Sequence, residues 1–354
     1  MAQALRLAEQ GMYSTSPNPR VGCVLVAGGK LVGSGWHRRA GEDHAEVHAL
    51  HEAGDAARGA TAYVTLEPCS HHGRTPPCTD VLIAAGVARV VVAVQDPNPK
   101  VAGAGVAQLR AAGMVVESGL METAARELNA GFFARMNRGT PLVRSKIAMS
   151  LDGRTALSNG ESKWITGDAA RLDVQHWRAR SCAVLTGINT VLADDPQINV
   201  RDIATDRQPL RVVLDSQLRI PVEARILHGS DTLVYCALCD KSRIARLQDL
   251  GATVVILQDS HGQVDMSAML RDLAQRGCNE VLVEAGNTLN GALLRAGLVD
   301  ELVLYVAPLL LGDAARGMAQ LGEFSSLDQG IKLEWNDMRQ VGADLRILAK
   351  VENV

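Results

Sequence analysis

Short runs rich in Val, Ile and Leu recur along the chain, each bounded by turn residues and separated from the next by Ala-rich segments of helical character. That alternation constrains the fold more than any other feature, because strands and helices taking turns pack as sheets with helices laid against them, an α/β architecture. In the first part, strands are expected at Val21 to Val26, at Lys30 to Trp36 after a Gly28-Gly29 turn, at Ala60 to Val64, at Arg89 to Val94 and at Met114 to Glu117. Helices are expected from about His44 and from Met121 to Asn137. Arg138-Gly139-Thr140-Pro141 has the composition of a linker and predicts two domains, 1–140 and 141–354. The second part restarts at Leu142 to Met149. It continues with expected strands at Cys182 to Thr186, Leu210 to Leu214, Thr232 to Cys236, Thr253 to Leu257, Glu280 to Glu284 and Leu302 to Val306. No fixed-period repeat is present and the halves share no motif, so two different modules are joined.

Composition narrows what those modules can do. With 354 residues, 47% of them apolar, the chain can bury two ordinary cores. Its 36 Lys and Arg against 39 Asp and Glu leave a formal charge of −3, so no global positive field gathers nucleic acid or an anionic membrane. Three Phe, four Trp and four Tyr are few for a surface that stacks successive bases. The most apolar stretch, Leu302 to Leu311, is too short to span a bilayer and is interrupted by Pro308. Met1 to Gly11, with Arg6 and Glu9, reads as a short helix rather than a secretory signal, which makes the cytoplasm the expected compartment. The seven cysteines are scattered and odd in number, which argues against a disulfide framework.

Six of the nine histidines (His37, His44, His48, His51, His71 and His72) precede residue 73, in the region that also holds Cys69 and Cys78. Imidazole plus two thiolates suits zinc, and three protein ligands leave a fourth position for water, the mark of a catalytic site. His44 and Glu46 are two apart and can serve one centre only above the first turn of a helix, where Gly41-Glu42-Asp43 offers a start. Cys69 follows Pro68 at a strand end and Cys78 follows Pro76-Pro77 before a helix, positions that favour thiolates. His-x-Glu followed by Pro-Cys and a second Cys is the zinc-deaminase signature, in which zinc hydroxide attacks an amidine-like ring carbon and the Glu, here Glu46, shuttles protons without ligating. The metalloprotease pattern fails, since it needs Glu directly after the first His and Ala45 stands there. A closed structural site with His71 or His72 as fourth ligand is the bland alternative. His48 and His51 fall with His44 on one helical stripe and read as surface or satisfied core groups.

Pro17-Asn18-Pro19, the run from His44 to His48, and the stretch from Thr65 through Pro68-Cys69-Ser70-His71-His72-Gly73-Arg74 to Pro77-Cys78 together resemble the bifunctional deaminase/reductase family of riboflavin biosynthesis. Eight residues separate the two cysteines, where common cytidine deaminases have two, and that spacing resembles this family's own pattern. The resemblance covers essentially the whole chain. It implies a cytidine-deaminase-like zinc domain that deaminates 2,5-diamino-6-(5-phosphoribosylamino)pyrimidin-4-one. Asn18, His37, His71 and Arg74 are then candidates for holding that substrate.

A dinucleotide fingerprint is absent: Gly103-Ala104-Gly105-Val106-Ala107-Gln108 begins correctly but lacks its third Gly and reads as a loop into a helix. Val283 to Gly291 is the better candidate, a strand ending in a Gly-rich turn whose following helix could offer free N–H groups to pyrophosphate. Cys236-Ala237-Leu238-Cys239 lacks the context of a redox motif and reads as buried or incidental thiols. Lys146 to Arg154, Trp164-Ile165-Thr166, Thr190 to Pro196 and Leu214-Asp215-Ser216 resemble the same family's dihydrofolate-reductase-like, NADPH-dependent module. By that resemblance Ala148, Trp164, Thr190, Asp194, Ser216 and Gly286, Asn287, Thr288, Leu289, Asn290, Gly291 and Ala292 line the cofactor site. Ser162, Arg178, Ile198, Arg201 and Glu284 face a phosphoribosyl pyrimidine whose ribosyl group is reduced. A homo-oligomer, a dimer through the second domain, is the expected assembly. Two other classes stay open on the residues alone: a nucleic-acid base deaminase, and a zinc-stabilised binding module with a fourth protein ligand.

Overall fold

Gly28 and Gly29 both adopt positive φ, 56° and 76°, and fold the first two strands into a hairpin. The computed structural model describes residues 1–71, 76–99, 101–229 and 231–352. It divides into two compact units, Met1–Thr140 and Pro141–Val354. The first runs α1 (Ala2–Glu9), β1 (Gly22–Ala27), β2 (Lys30–Trp36), α2 (Ala45–Ala53), β3 (Thr61–Val64), α3 (Cys78–Ala84), β4 (Arg89–Val92), α4 (Ala104–Ala111), β5 (Val115–Ser118), α5 (Glu122–Leu128) and α6 (Ala130–Arg138). Its sheet has the order β2-β1-β3-β4-β5, antiparallel on both sides of β1 and parallel from β3 to β5.

Helix α2 lies so close to β2 that a Cβ on Gly33 would stand 2.2 Å from the carbonyl oxygen of Ala49, and one on Gly35 would stand 2.5 Å from that of Ala45. Only glycine fits there, and the close seat brings the start of α2 down onto the sheet. Cys23, Leu25, Ala45, Ala49, Val64, Leu82, Val90 and Leu109 form the core between sheet and helices. The single helix expected from Met121 to Asn137 is instead two, α5 and α6. Asn129 breaks it: its fully buried side chain accepts from Arg20 N at 2.8 Å and donates to Arg20 O at 2.9 Å, a pairing that overrides helical continuity.

The second unit runs β6 (Leu142–Ser150), β7 (Arg154–Ala156), α7 (Asp168–Arg180), β8 (Ala183–Gly187), α8 (Ile188–Asp194), β9 (Leu210–Leu214), β10 (Thr232–Cys236), α9 (Lys241–Asp249), β11 (Thr253–Ile256), α10 (Met266–Gln275), β12 (Glu280–Val283), α11 (Asn287–Arg295), β13 (Glu301–Ala307), β14 (Arg316–Gly317), β15 (Leu333–Val341) and β16 (Asp344–Val351). Nine strands form one sheet in the order β11-β10-β9-β8-β12-β6-β13-β16-β15, parallel from β11 to β13 and antiparallel beyond, while β7 and β14 make a small ribbon. Alternate residues feed two cores, Ala183, Leu185, Val212 and Val281 on one face and Val184, Val213, Leu282 and Tyr305 on the other. A sheet covered on both faces explains the near-continuous apolar runs of its parallel strands. Among the described residues no helix is long and apolar enough to cross a membrane.

Candidate metal centre and second cleft

His44 is the N-cap of α2, with extended backbone (φ −77°, ψ 166°), so its imidazole projects over the first turn that Glu46 occupies. Cys69 lies in the loop after β3, and Cys78 is the first residue of α3. The three donor atoms all lie within 4.8 Å of one another. His44 Nδ1 is 3.2 Å from Cys78 Sγ and 3.6 Å from Cys69 Sγ, while the backbone N–H of Cys78 donates to Cys69 Sγ at 3.4 Å. The Cys78 thiol donates to Cys69 and pulls the Cys69 pKa down to about 4, with help from His44. The same bond, followed by burial, pushes the Cys78 thiol up.

Glu46 is 3% exposed, and its Oε2 has no hydrogen-bond partner among the described residues. A buried carboxylate oxygen without a donor calls for a further occupant. Two thiols, one imidazole and that carboxylate, which stands outside the three-residue ligand cluster, fit zinc with an open coordination position.

His37 is 2% exposed and meets the His44 ring edge-on, the centroids 5.1 Å apart. Its Nδ1–H donates to the carbonyl of Asp43 at 3.1 Å, which leaves Nε2 to accept from Asn18 Nδ2 at 3.0 Å. Burial lowers its pKa against the opposing pull of that carbonyl, in keeping with a neutral ring. The structure thus gathers Asn18 and His37 beside His44. His71 is exposed, and Arg74 lies outside the described residues.

Glu67 carried no expectation, yet it organises the neighbourhood: its buried carboxylate accepts from the backbone N–H groups of Asp96, Gly103 and Val106 at 3.0 to 3.2 Å. The loop after β4 is thereby tied to the strand end that bears Cys69. An acid directly before Pro68-Cys69 was the available signal.

In the second unit a cleft of about 1250 Å³ opens at the carboxyl ends of the parallel strands, where ligands of open α/β sheets bind. Its wall includes Ala148, Trp164, Thr190, Asp194 and Ser216, then Gly286 to Leu289 with Ala292, and also Ser162, Arg178, Ile198, Arg201 and Glu284. Asn290 and Gly291 are not part of it. They sit on the core face of α11: Asn290 accepts from Ser145 Oγ and donates to the carbonyls of Ala285 and Met318, and Gly291 lies against the backbone of Gln320. Helical periodicity turns them away from the cleft that Thr288, Leu289 and Ala292 face.

Arg178 donates from Nε and Nη2 to Glu284 at 2.5 and 2.9 Å, and from Nη1 to the carbonyl of Asn199 at 2.9 Å. Burial alone would raise the Glu284 pKa, but Arg178, with Lys146 and Arg201 behind it, holds it down to about 2. Lys146 lines the same wall, and burial lowers its pKa against the pull of Glu284. A lysine within an apolar strand was the sign of it in the sequence. At the mouth Lys163 pairs with Asp194 at 3.1 Å, and the Arg171 guanidinium lies 4.5 Å from the centre of the exposed Trp164 ring.

Residues 1–94 match the family model of the cytidine and deoxycytidylate deaminase zinc-binding region, and residues 141–347 match that of the RibD C-terminal domain. Fold and site together define a two-domain α/β enzyme, a cytidine-deaminase-like zinc domain followed by a dihydrofolate-reductase-like domain. The riboflavin biosynthesis protein RibD of Escherichia coli K12 is 49% identical over 98% of this chain and 96% of its own length. Acinetobacter baumannii RibD superimposes with a TM-score of 0.93 at 48% identity, covering 99% of this chain and 98% of that one. A diaminohydroxyphosphoribosylaminopyrimidine deaminase/5-amino-6-(5-phosphoribosylamino)uracil reductase from Thermotoga maritima gives a TM-score of 0.88 at 31% identity, covering 99% and 97%. The chain belongs to the RibD family of bifunctional riboflavin biosynthesis deaminase/reductases.

Proposed function

We propose that the first unit deaminates 2,5-diamino-6-(5-phosphoribosylamino)pyrimidin-4-one. The second then reduces its ribosyl group with NADPH to give 5-amino-6-(5-phosphoribitylamino)uracil. The observation that carries this reading is the buried Glu46 Oε2, unpartnered among the described residues, beside the His44, Cys69 and Cys78 cluster. Zinc held by those three residues supplies, when bound, the Lewis acidity that makes water a nucleophile near neutral pH. Glu46 Oε2 takes one proton of the attacking water and passes it to the ring nitrogen, then takes the second from the hydroxyl of the tetrahedral adduct and delivers it to the departing amine. Asn18 and His37, fixed by their mutual hydrogen bond, are assigned together with His71 and Arg74 to the substrate's ring edge, ribose and phosphate.

For the second step, NADPH supplies, when bound, the hydride that goes to C1′ of the opened ribose. The cleft fits such a group: it is long, and the N-terminus of α11 has no side-chain cap, which leaves backbone N–H groups for pyrophosphate. Ala148, Trp164, Thr190, Asp194, Ser216, Gly286 to Leu289 and Ala292 are assigned to the cofactor. Ser162, Arg178, Ile198, Arg201 and Glu284 are assigned to the pyrimidine, Arg201 offering its fork of donors to the phosphate. The same reading has the chain work in the cytoplasm as a homodimer formed through the 141–354 unit, which light scattering checks.

The test is product analysis. Mass spectrometry of the reaction with substrate, zinc and NADPH should show an amine replaced by oxygen, followed by gain of two hydrogens. A product that gains hydrogens but keeps the amine would contradict the assigned sequence.

A further inference from the structure

The segment that follows α8, Asp195 to Asp202, holds three non-glycine residues in the left-handed region: Asp195 at φ 41°, Ile198 at 44° and Asp202 at 65°. A β-branched residue such as Ile198 keeps that conformation only where its surroundings over-determine it. Ile198 and Arg201 both belong to the cleft wall, so whatever fixes the backbone of this segment fixes them.

Three side chains from elsewhere in the unit fix it at successive residues. Arg178 Nη1 donates to the carbonyl of Asn199 at 2.9 Å, and Gln175 Oε1 accepts from Arg201 N at 3.1 Å. Between them Gln208 grips Val200 twice: its Oε1 accepts from Val200 N at 2.8 Å and its Nε2 donates to Val200 O at 3.0 Å. Arg178 and Gln175 line the cleft themselves, whereas Gln208 stands outside its wall. The chain that carries Gln208 is anchored on both sides. Arg207 Nη2 donates to the carbonyls of Ala179 and Ser181 at 3.1 and 2.8 Å, and Leu210 N donates to Cys182 O at 2.9 Å. The Arg201 side chain, by contrast, is half exposed, and among the described residues the only carboxylate within ion-pair reach is the adjacent Asp202, at 3.7 Å. Its guanidinium is open to an anion, and its direction depends on backbone that Gln208 holds.

We propose that Gln208 is a positioning residue for the reductase step: by clamping Val200 it aims the Arg201 guanidinium at the phosphomonoester on the pyrimidine's ribose, and so sets how tightly the cleft holds that substrate without touching it. The inference rests on the assignment of Arg201 to the phosphate above and adds the residue that sets its direction. Steady-state reduction of the deaminated pyrimidine by the full-length, zinc-loaded chain tests it, with thermal melting alongside and the same compound without its phosphate as a second probe.

Gln208→Met keeps the length of the side chain and removes both bonds. It should raise KM for the phosphorylated pyrimidine about fivefold, hold kcat and KM for NADPH within about twofold, and leave KM for the compound without phosphate unchanged. Gln208→Glu, which keeps the acceptor for Val200 N and loses the donor, should fall between. Arg201→Gln should itself raise KM about tenfold, and on that background Gln208→Met should add nothing, because the two act through one contact. An unchanged KM in Gln208→Met, a loss shared equally with NADPH or with the compound lacking phosphate, or a full additional loss on the Arg201→Gln background overturns the inference and leaves the phosphate assignment standing. A melting midpoint lowered together with every kinetic constant gives the two bonds a structural role only and overturns it too. If Arg201→Gln leaves KM unchanged, the phosphate assignment itself fails and this inference with it.

Discussion

Arg178 holds the carboxylate of Glu284 through two hydrogen bonds, at 2.5 and 2.9 Å, across 106 residues of sequence. Both side chains are largely buried in the cleft wall, 10% and 12% exposed, so removing one strands the other: Glu284→Ala should cost about 3–5 kcal/mol at neutral pH. The folded-state pKa of Glu284 is held at about 2, below the unfolded value of about 4.3, so the pair's stabilisation is complete above the unfolded value and is lost as pH falls toward 2. Thermal unfolding should therefore show the gap between wild type and variant narrowing below about pH 4. A gap that stays constant down to pH 2 would mean that ionised Glu284 is not what the pair contributes.

Glu46→Gln should keep the metal and lose deamination by about 10²–10⁴-fold, because the side chain moves protons and stands outside the ligand cluster. Metal analysis beside an ammonia-release assay checks both halves. Loss of zinc from this variant would make Glu46 a ligand.

Cys78→Ser should lose zinc and ammonia release together, since the described cluster has three protein donors and no reserve. Reduction of the already deaminated pyrimidine should continue, because the cleft lies in the other unit. Full metal occupancy with normal turnover would place the zinc elsewhere.

Gly291→Ala should destabilise the second unit by about 1–3 kcal/mol, because the new Cβ would stand 2.2 Å from Gln320 O and 2.6 Å from Gln320 N, and backbone must move. Melting followed alongside ammonia release should show a lower midpoint with the deaminase rate retained. An unchanged midpoint would mean that the segment carrying Gln320 yields at little cost.

The parallel strands were legible because burial on both faces writes them as apolar runs, as in Val212 to Leu214 and Val281 to Val283. Strand β15 was not: it is an edge strand with most residues exposed, Trp335 and Met338 among them, so neither an apolar run nor a clean alternation marks it. Its partner β16 was missed with it. The positions of His44, Cys69 and Cys78 could be read because ligand chemistry fixes residue type and order. Glu67 and Asn129 could not, because each acts through backbone groups remote in sequence that only the fold brings near. Asn290 and Gly291 were expected in the cleft because a contiguous motif does not say which face of a helix its later residues occupy.

The central claim is that zinc-dependent deamination in the first unit makes the compound that the second unit reduces. Full-length protein given the undeaminated phosphoribosyl pyrimidine and NADPH, with ammonia and NADPH followed together, tests it most directly. With zinc present, ammonia release should precede NADPH oxidation and match it mole for mole. After chelation both should stop, while the deaminated pyrimidine is still reduced. NADPH consumption on the undeaminated compound that continues unchanged after chelation would contradict the account.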